Sequence, residues 1–142
     1  MRIPTLILST ILLSSGLSSA SSLVTDVLLT NAEGGKAMTT FAPTTPKIIV
    51  FCRIVGKAQT PTQAVWFAEK VANVSANFKI AKAEVKLPIT TKGLLHNDIN
   101  FSLSKPTKGW PKGQYRVEIF VASAPGKPYP NNPETVLRFT IK

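Results

Sequence analysis

The stretch Lys105-Pro106-Thr107-Lys108-Gly109-Trp110-Pro111-Lys112-Gly113-Gln114-Tyr115, running directly into Arg116-Val117-Glu118-Ile119-Phe120-Val121, constrains this chain more than any other. Pro106 and Pro111 fix φ, and Gly109 and Gly113 permit backbone angles closed to other residues, so the first part is a turn. The second part alternates apolar and polar residues, the mark of a strand with one buried face. Tyr115 stands where turn meets strand. It can bury its ring while its hydroxyl bonds the backbone of the turn. A Pro- and Gly-rich turn with a Trp, opening a strand with a Tyr, is the corner of a β-sandwich. Trp110 and Tyr115 are therefore read first as structural corner residues.

The alternation recurs along the chain. Leu23 to Leu29 reads as a first strand and Lys47 to Val55 as a second. Phe78 to Leu87 places Ala81, Ala83, Val85 and Leu87 on one face and Lys82, Glu84 and Lys86 on the other. Asp98 to Ser104 turns Ile99, Phe101 and Leu103 inward. Gln114 to Ala122 does the same with Tyr115, Val117, Ile119 and Val121. Thr135 to Ile141 does so with Leu137, Phe139 and Ile141. Turn residues separate these runs: Glu33-Gly34-Gly35, Pro43 to Pro46, Pro88, Pro106 to Gly113, and Pro125 to Pro133. Gln63 to Ser75 fits both periods: Ala64, Phe67, Val71 and Val74 make a helical stripe, while Trp66, Ala68 and Lys70 alternate with Val65, Phe67 and Glu69. The strand reading is preferred, because Trp66 then takes the place of a sandwich's central Trp, and Trp66 is grouped with Trp110 and Tyr115 as the structural aromatics of the corner. The expected fold is all-β: an immunoglobulin-like sandwich of about seven antiparallel strands.

These residues carry a resemblance. Trp66, Phe101-Ser102-Leu103, the Trp110-Pro111-Lys112-Gly113-Gln114-Tyr115 corner, Tyr115-Arg116-Val117-Glu118-Ile119 and Phe139-Thr140-Ile141 together resemble a diffuse group of small exported bacterial proteins. Those have an immunoglobulin-like sandwich and mostly no assigned activity. The likeness covers most of the chain after Lys47 and is loose before it. It implies a fold and an exported setting, and says almost nothing of a ligand.

The N-terminus supports export. Arg2, the apolar run Leu6 to Leu13 and the small residues Ser18 and Ala20 follow the charged, apolar, small order of a cleaved signal peptide. Residues 1–20 are assigned to that signal and 21–142 to one domain, with the mature chain starting near Ser21. The apolar run is too short for a membrane-crossing helix, and no later segment is apolar enough for one, so the mature form has no transmembrane span. A periplasmic or extracellular location follows.

Cys52 is the only cysteine, so no internal disulfide can form and the apolar core must hold the domain. It lies in a β-branched run beside Ile48, Val50 and Ile54 on one face, where a cysteine behaves as a small hydrophobe. An intermolecular disulfide remains open. A nucleophilic role lacks a base, because His96 is the only histidine and sits in a loop by this reading. Four-ligand zinc spacing, a Gly-x-Ser-x-Gly elbow and a phosphate loop are all missing. Neither an enzyme nor a cofactor is indicated. Asn73-Val74-Ser75 and Asn100-Phe101-Ser102 match the glycan acceptor pattern, which matters only in a eukaryotic secretory pathway.

Charge is the remaining signal. The chain carries 17 Lys and Arg against 7 Asp and Glu, a formal +10. Removing residues 1–20 takes Arg2 and no acid, leaving 16 − 7 = +9. Such a surface favours anionic partners, though most of the cations are spread singly over outer faces and loops. Lys105, Lys108 and Lys112 flank Trp110 in one turn, and these four residues, three cations beside a flat ring, form the candidate anion or ligand contact. No nucleic-acid motif accompanies them. Three function classes follow. The first is a non-catalytic binding or accessory module of the cell envelope, with a protein or anionic envelope component as partner. The second is a basic effector held to anionic glycan, lipid or nucleic acid by charge. The third is an enzyme with an unrecognised site. The absence of catalytic motifs favours the first.

Overall fold

Alternation becomes strand throughout the computed structural model, which describes residues 23–88 and 96–142. The signal peptide expected over 1–20 and the start near Ser21 lie outside those residues. Among the described residues all regular structure is strand, in two sheets, and no helix is long and apolar enough to cross a membrane.

The smaller sheet holds β1 (Val24–Thr30), β3 (Lys47–Val55) and β6 (His96–Ser104) in the order β1-β3-β6, both pairs antiparallel. The larger one contains β2 (Thr40–Phe41), β4 (Pro61–Val71), β5 (Phe78–Lys86), β7 (Gly113–Val121) and β8 (Thr135–Ile141). Its order is β2-β8-β7-β4-β5, with β2 parallel to β8 and every other pair antiparallel. The ambiguous segment is a strand: β4 pairs with β7 on one side and β5 on the other, and stops at Val71. Beyond it Asn73 adopts a positive φ of 65°, which Asn tolerates in turns. His96, expected in a loop, instead opens β6 opposite Val55, because the ladder with β3 runs to the end of that strand.

One core joins the two sheets. Ile48, Val50, Cys52 and Ile54 of β3 are fully buried, and so are Val117 and Ile119 of β7. Trp66 lies at the centre, edge-on to Phe139 with ring centroids 6.2 Å apart. Phe139 stacks on Tyr115 at 5.2 Å and meets Phe41 edge-on at 5.7 Å. Such pairs add roughly 0.5–1.5 kcal/mol each beyond their area. Phe41 reaches this cluster through β2, a strand of two residues that is too short to show any period in the sequence.

Candidate functional site

The corner loop between β6 and β7 is fixed by its own residues. The Gly109 amide donates to the Pro106 carbonyl at 2.8 Å, closing a turn in which Gly109 has φ +89°. A side chain at Gly109 would begin 3.1 Å from the Pro43 carbonyl oxygen. The Trp110 amide donates to that same oxygen at 2.9 Å, and its indole Nε1 donates to the Thr45 carbonyl at 2.8 Å. The Tyr115 hydroxyl donates back to the Pro111 carbonyl, and burial pushes that phenol's pKa up. Gly113 has φ +150°, and a Cβ there would lie 2.6 Å from the Lys70 carbonyl oxygen. Each member of the Trp-Pro-x-Gly-x-Tyr pattern thus answers one local demand: an indole bond, a carbonyl acceptor, a close approach to β4 and a ring to bury.

The same corner forms one wall of an apolar cleft of about 180 Å³. Pro106, Trp110 and Pro111 line one side, and Ala68, Val71 and Tyr115 make the floor. Val74, Phe78 and Ile80 close the other side, and the lining has no polar surface. The floor is buried, but Phe78 is 53% exposed and Ile80 38%, the two most exposed large apolar side chains among the described residues. A bulge puts them there. Trp66 pairs with Ala81 whereas Phe67 pairs with Lys79, so Ile80 has no partner across the ladder. Strict alternation would group Phe78 and Ile80 with Lys82. The extra residue reverses the phase, turning Phe78 inward opposite Ala68 and Lys79 outward opposite Phe67. Sequence reasoning passed over both residues. The available signal was the adjacent Ile80-Ala81, a break in the period.

The candidate contact residues divide in two. Lys105, Lys108 and Lys112 are exposed on the loop that walls the cleft. Trp110 is only 3% exposed and lies edge-on to Tyr115, with centroids 6.2 Å apart. The expectation of a flat ring displayed beside the three lysines is therefore corrected: the indole bond to Thr45 holds the ring in, and it contributes to the wall of the cleft. Trp66 is not at the corner; it reaches it only through Phe139 and Tyr115.

Elsewhere the arginines of the described residues are paired with carboxylates. On the outer face of the larger sheet, Arg116 Nε donates to Glu118 at 2.8 Å, and its Nη1 donates to Asn77 Oδ1 at 2.7 Å and to Glu69 at 3.3 Å. Its guanidinium carbon lies 4.1 Å from the centroid of the Phe67 ring. Arg138 also donates to Glu69 at 3.2 Å. Nearby, the Tyr129 hydroxyl donates to Glu84 and its ring meets Phe120 edge-on. Burial, then the Glu84 carboxylate, push that phenol's pKa up. On the smaller sheet Arg53 Nε donates to Asp98 at 2.8 Å, and that bond holds the Asp98 carboxyl below its ordinary value. Cys52 is fully buried, and desolvation pushes its thiol up to about 12. His96 is exposed at the end of β6. No group of three or more His, Cys, Asp or Glu that could hold a metal ion occurs among the described residues.

No protein-family model matches the chain, and no curated protein matches its sequence.

Proposed function

We propose that the chain is an exported, non-catalytic binding module on an immunoglobulin-like sandwich, and that the cleft beside the β6–β7 corner grips its ligand. The strand orders support the fold type. β1-β3-β6 sharing one core with β5-β4-β7-β8-β2 is compatible with such a sandwich, and the bond from the Tyr115 hydroxyl at the mouth of β7 back to Pro111 resembles its tyrosine corner. Fold does not carry function, so the ligand reading rests on the site. Its carrying observation is the wholly apolar cleft with a buried floor and the exposed rim of Phe78 and Ile80, walled by a loop bearing three exposed lysines. Exposed apolar surface next to a concave site is where ligands are held. The lysines favour an apolar group attached to an anion. The non-catalytic reading is supported by Cys52, which is sealed in the core and held protonated.

Dodecanoate below its micelle concentration is a suitable probe, with a neutral alkyl glucoside as control. Amide and indole resonances of Phe78, Ile80 and Trp110 should shift with dodecanoate, and less with the glucoside. Phe78→Ser, at an exposed position, should weaken binding without loss of fold. Shifts scattered over the lysines with no response at the cleft would refute the site. They would favour the second reading, a basic effector held by the whole basic surface, 16 − 7 = +9 after removal of residues 1–20, whose retention on anionic vesicles falls steeply with salt. N-terminal sequencing of exported protein should begin near Ser21; an intact Met1 overturns the processing step.

A further inference from the structure

We infer that the ligand of this module is an extended acidic segment of another protein, which adds as a strand to the free edge of β5 and places an apolar side chain in the cleft. The inference rests on the cleft reading and names its partner. β5 (Phe78–Lys86) is the last strand of the larger sheet, and among the described residues no strand pairs with its other side. A nine-residue edge offers a row of unpaired amides and carbonyls, the template on which extended peptides dock.

The two faces of that edge specify what docks. Inward, Ala81, Ala83 and Val85 are only half-buried, and Phe78 and Ile80 open onto the cleft. An added strand would cover this strip with every second side chain. Outward, Lys79, Lys82 and Lys86 are exposed, and the one acid in the row, Glu84, already accepts the Tyr129 hydroxyl. The remaining side chains of the added strand therefore face three cations. Charge complementarity calls for acidic residues alternating with apolar ones.

The same lysines exclude a second copy of this chain. Edge-to-edge pairing of two β5 strands sets the lysine row of one against that of the other, and like charges across a ladder are destabilising. Lysine on an exposed edge is a known guard against self-association. It leaves an acidic partner free to bind. A flat anionic layer would meet the cleft with Lys105, Lys108 and Lys112 beside it, but not Lys79, Lys82 and Lys86, which lie on the opposite face of β5; an alternating strand meets the cleft and that row together.

The test is an end-capped peptide of alternating glutamate and valine, as long as β5, titrated into the uniformly labelled chain. Amides within 78–86 should exchange more slowly, and Phe78 and Ile80 should shift. The same residues sorted into a glutamate block and a valine block should not bind, nor should a peptide alternating lysine and valine. Replacing Lys79, Lys82 and Lys86 with Gln should weaken the glutamate peptide about tenfold at low salt, the sum of three exposed ion pairs. If that variant does not fold, the contrast between glutamate and lysine peptides on the unaltered chain still decides. Equal binding of the two peptides, or protection anywhere but 78–86, overturns the inference. Dodecanoate is titrated in parallel. A cleft that takes dodecanoate while the glutamate peptide leaves β5 unprotected sinks the strand partner and keeps the binding module; failure of both sinks both.

Discussion

β7 and β5 are nine-residue strands of the same sheet, and both alternate apolar with polar side chains. Their fates differ. β7 is flanked by β8 and β4, and its inward Tyr115, Val117, Ile119 and Val121 are all buried. β5 has β4 on one side only; its inward alanines and Val85 are half-buried, and Phe78 stands in the open. Period-two patterning tells which way a side chain points. How deeply it is buried depends on what lies beside and beneath it. A central strand spends its apolar face on stability, and an edge strand keeps part of that face available for binding.

The sharpest way to break this comparison is to remove a large ring from each side of it. Trp66→Ala, at the centre of β4, should cost about 3–5 kcal/mol, since it leaves a cavity among Phe139 and its neighbours. Phe78→Ala should cost less than about 1 kcal/mol because its ring is already more than half in water. Denaturant unfolding of both variants measures the gap. Equal midpoints would mean that β5 is as much a core strand as β4, and the binding role of its rim would lose its basis.

Next in size is Gly113→Ala. The new methyl would press on the Lys70 carbonyl and Val71 at a φ closed to alanine, so a loss of about 1–3 kcal/mol is expected. Gly126→Ala is the control: its φ is +78°, but nothing lies within 4 Å of the added Cβ, so its loss should be the smaller. Comparable losses at the two glycines would show that backbone angle alone, rather than the approach of β4, explains the motif.

Tyr115→Phe keeps the ring stacked on Phe139 and deletes only the bond to Pro111, for about 1 kcal/mol. If the corner positions the wall of the cleft, this variant should also alter dodecanoate binding while Phe78→Ala alters binding with little change in stability.

The smallest effect belongs to the Arg53–Asp98 pair on the outer face of the smaller sheet. Arg53 lowers the carboxyl's pKa, so whatever the pair adds is fully present above the ordinary carboxylate value and fades as pH falls through the lowered one. Asp98→Asn should leave the melting point at neutral pH nearly unchanged and flatten the acid side of its pH profile. A large loss at neutral pH would mean that exposed ion pairs carry weight in this domain, against the usual behaviour of such pairs.

Much of this was legible in the chain. Every long strand except β4 could be read from its alternation, β4 fitting both periods and being read as strand from the place of Trp66; Tyr115 could be placed at its corner from the neighbouring Pro and Gly, because those signals depend on a few adjacent residues. The cleft was not legible. Its walls come from β4, β5, the corner loop and β7, which only the sheet order brings together. The three lysines drew notice because they are close in sequence, but Trp110, in the midst of them, turned inward to a carbonyl sixty-five residues away.

The sequence by itself determined an all-β chain, the inward face of most strands, and a corner at Trp110 to Tyr115, since period and turn chemistry are local properties of the backbone. Only the tertiary structure decided that β5 is an edge, that a bulge at Ile80 turns Phe78 toward the cleft, and that the Trp110 ring is a wall rather than a platform. Strand order and register are set by which apolar faces can share one core, and that is a property of the whole chain that no window of residues contains.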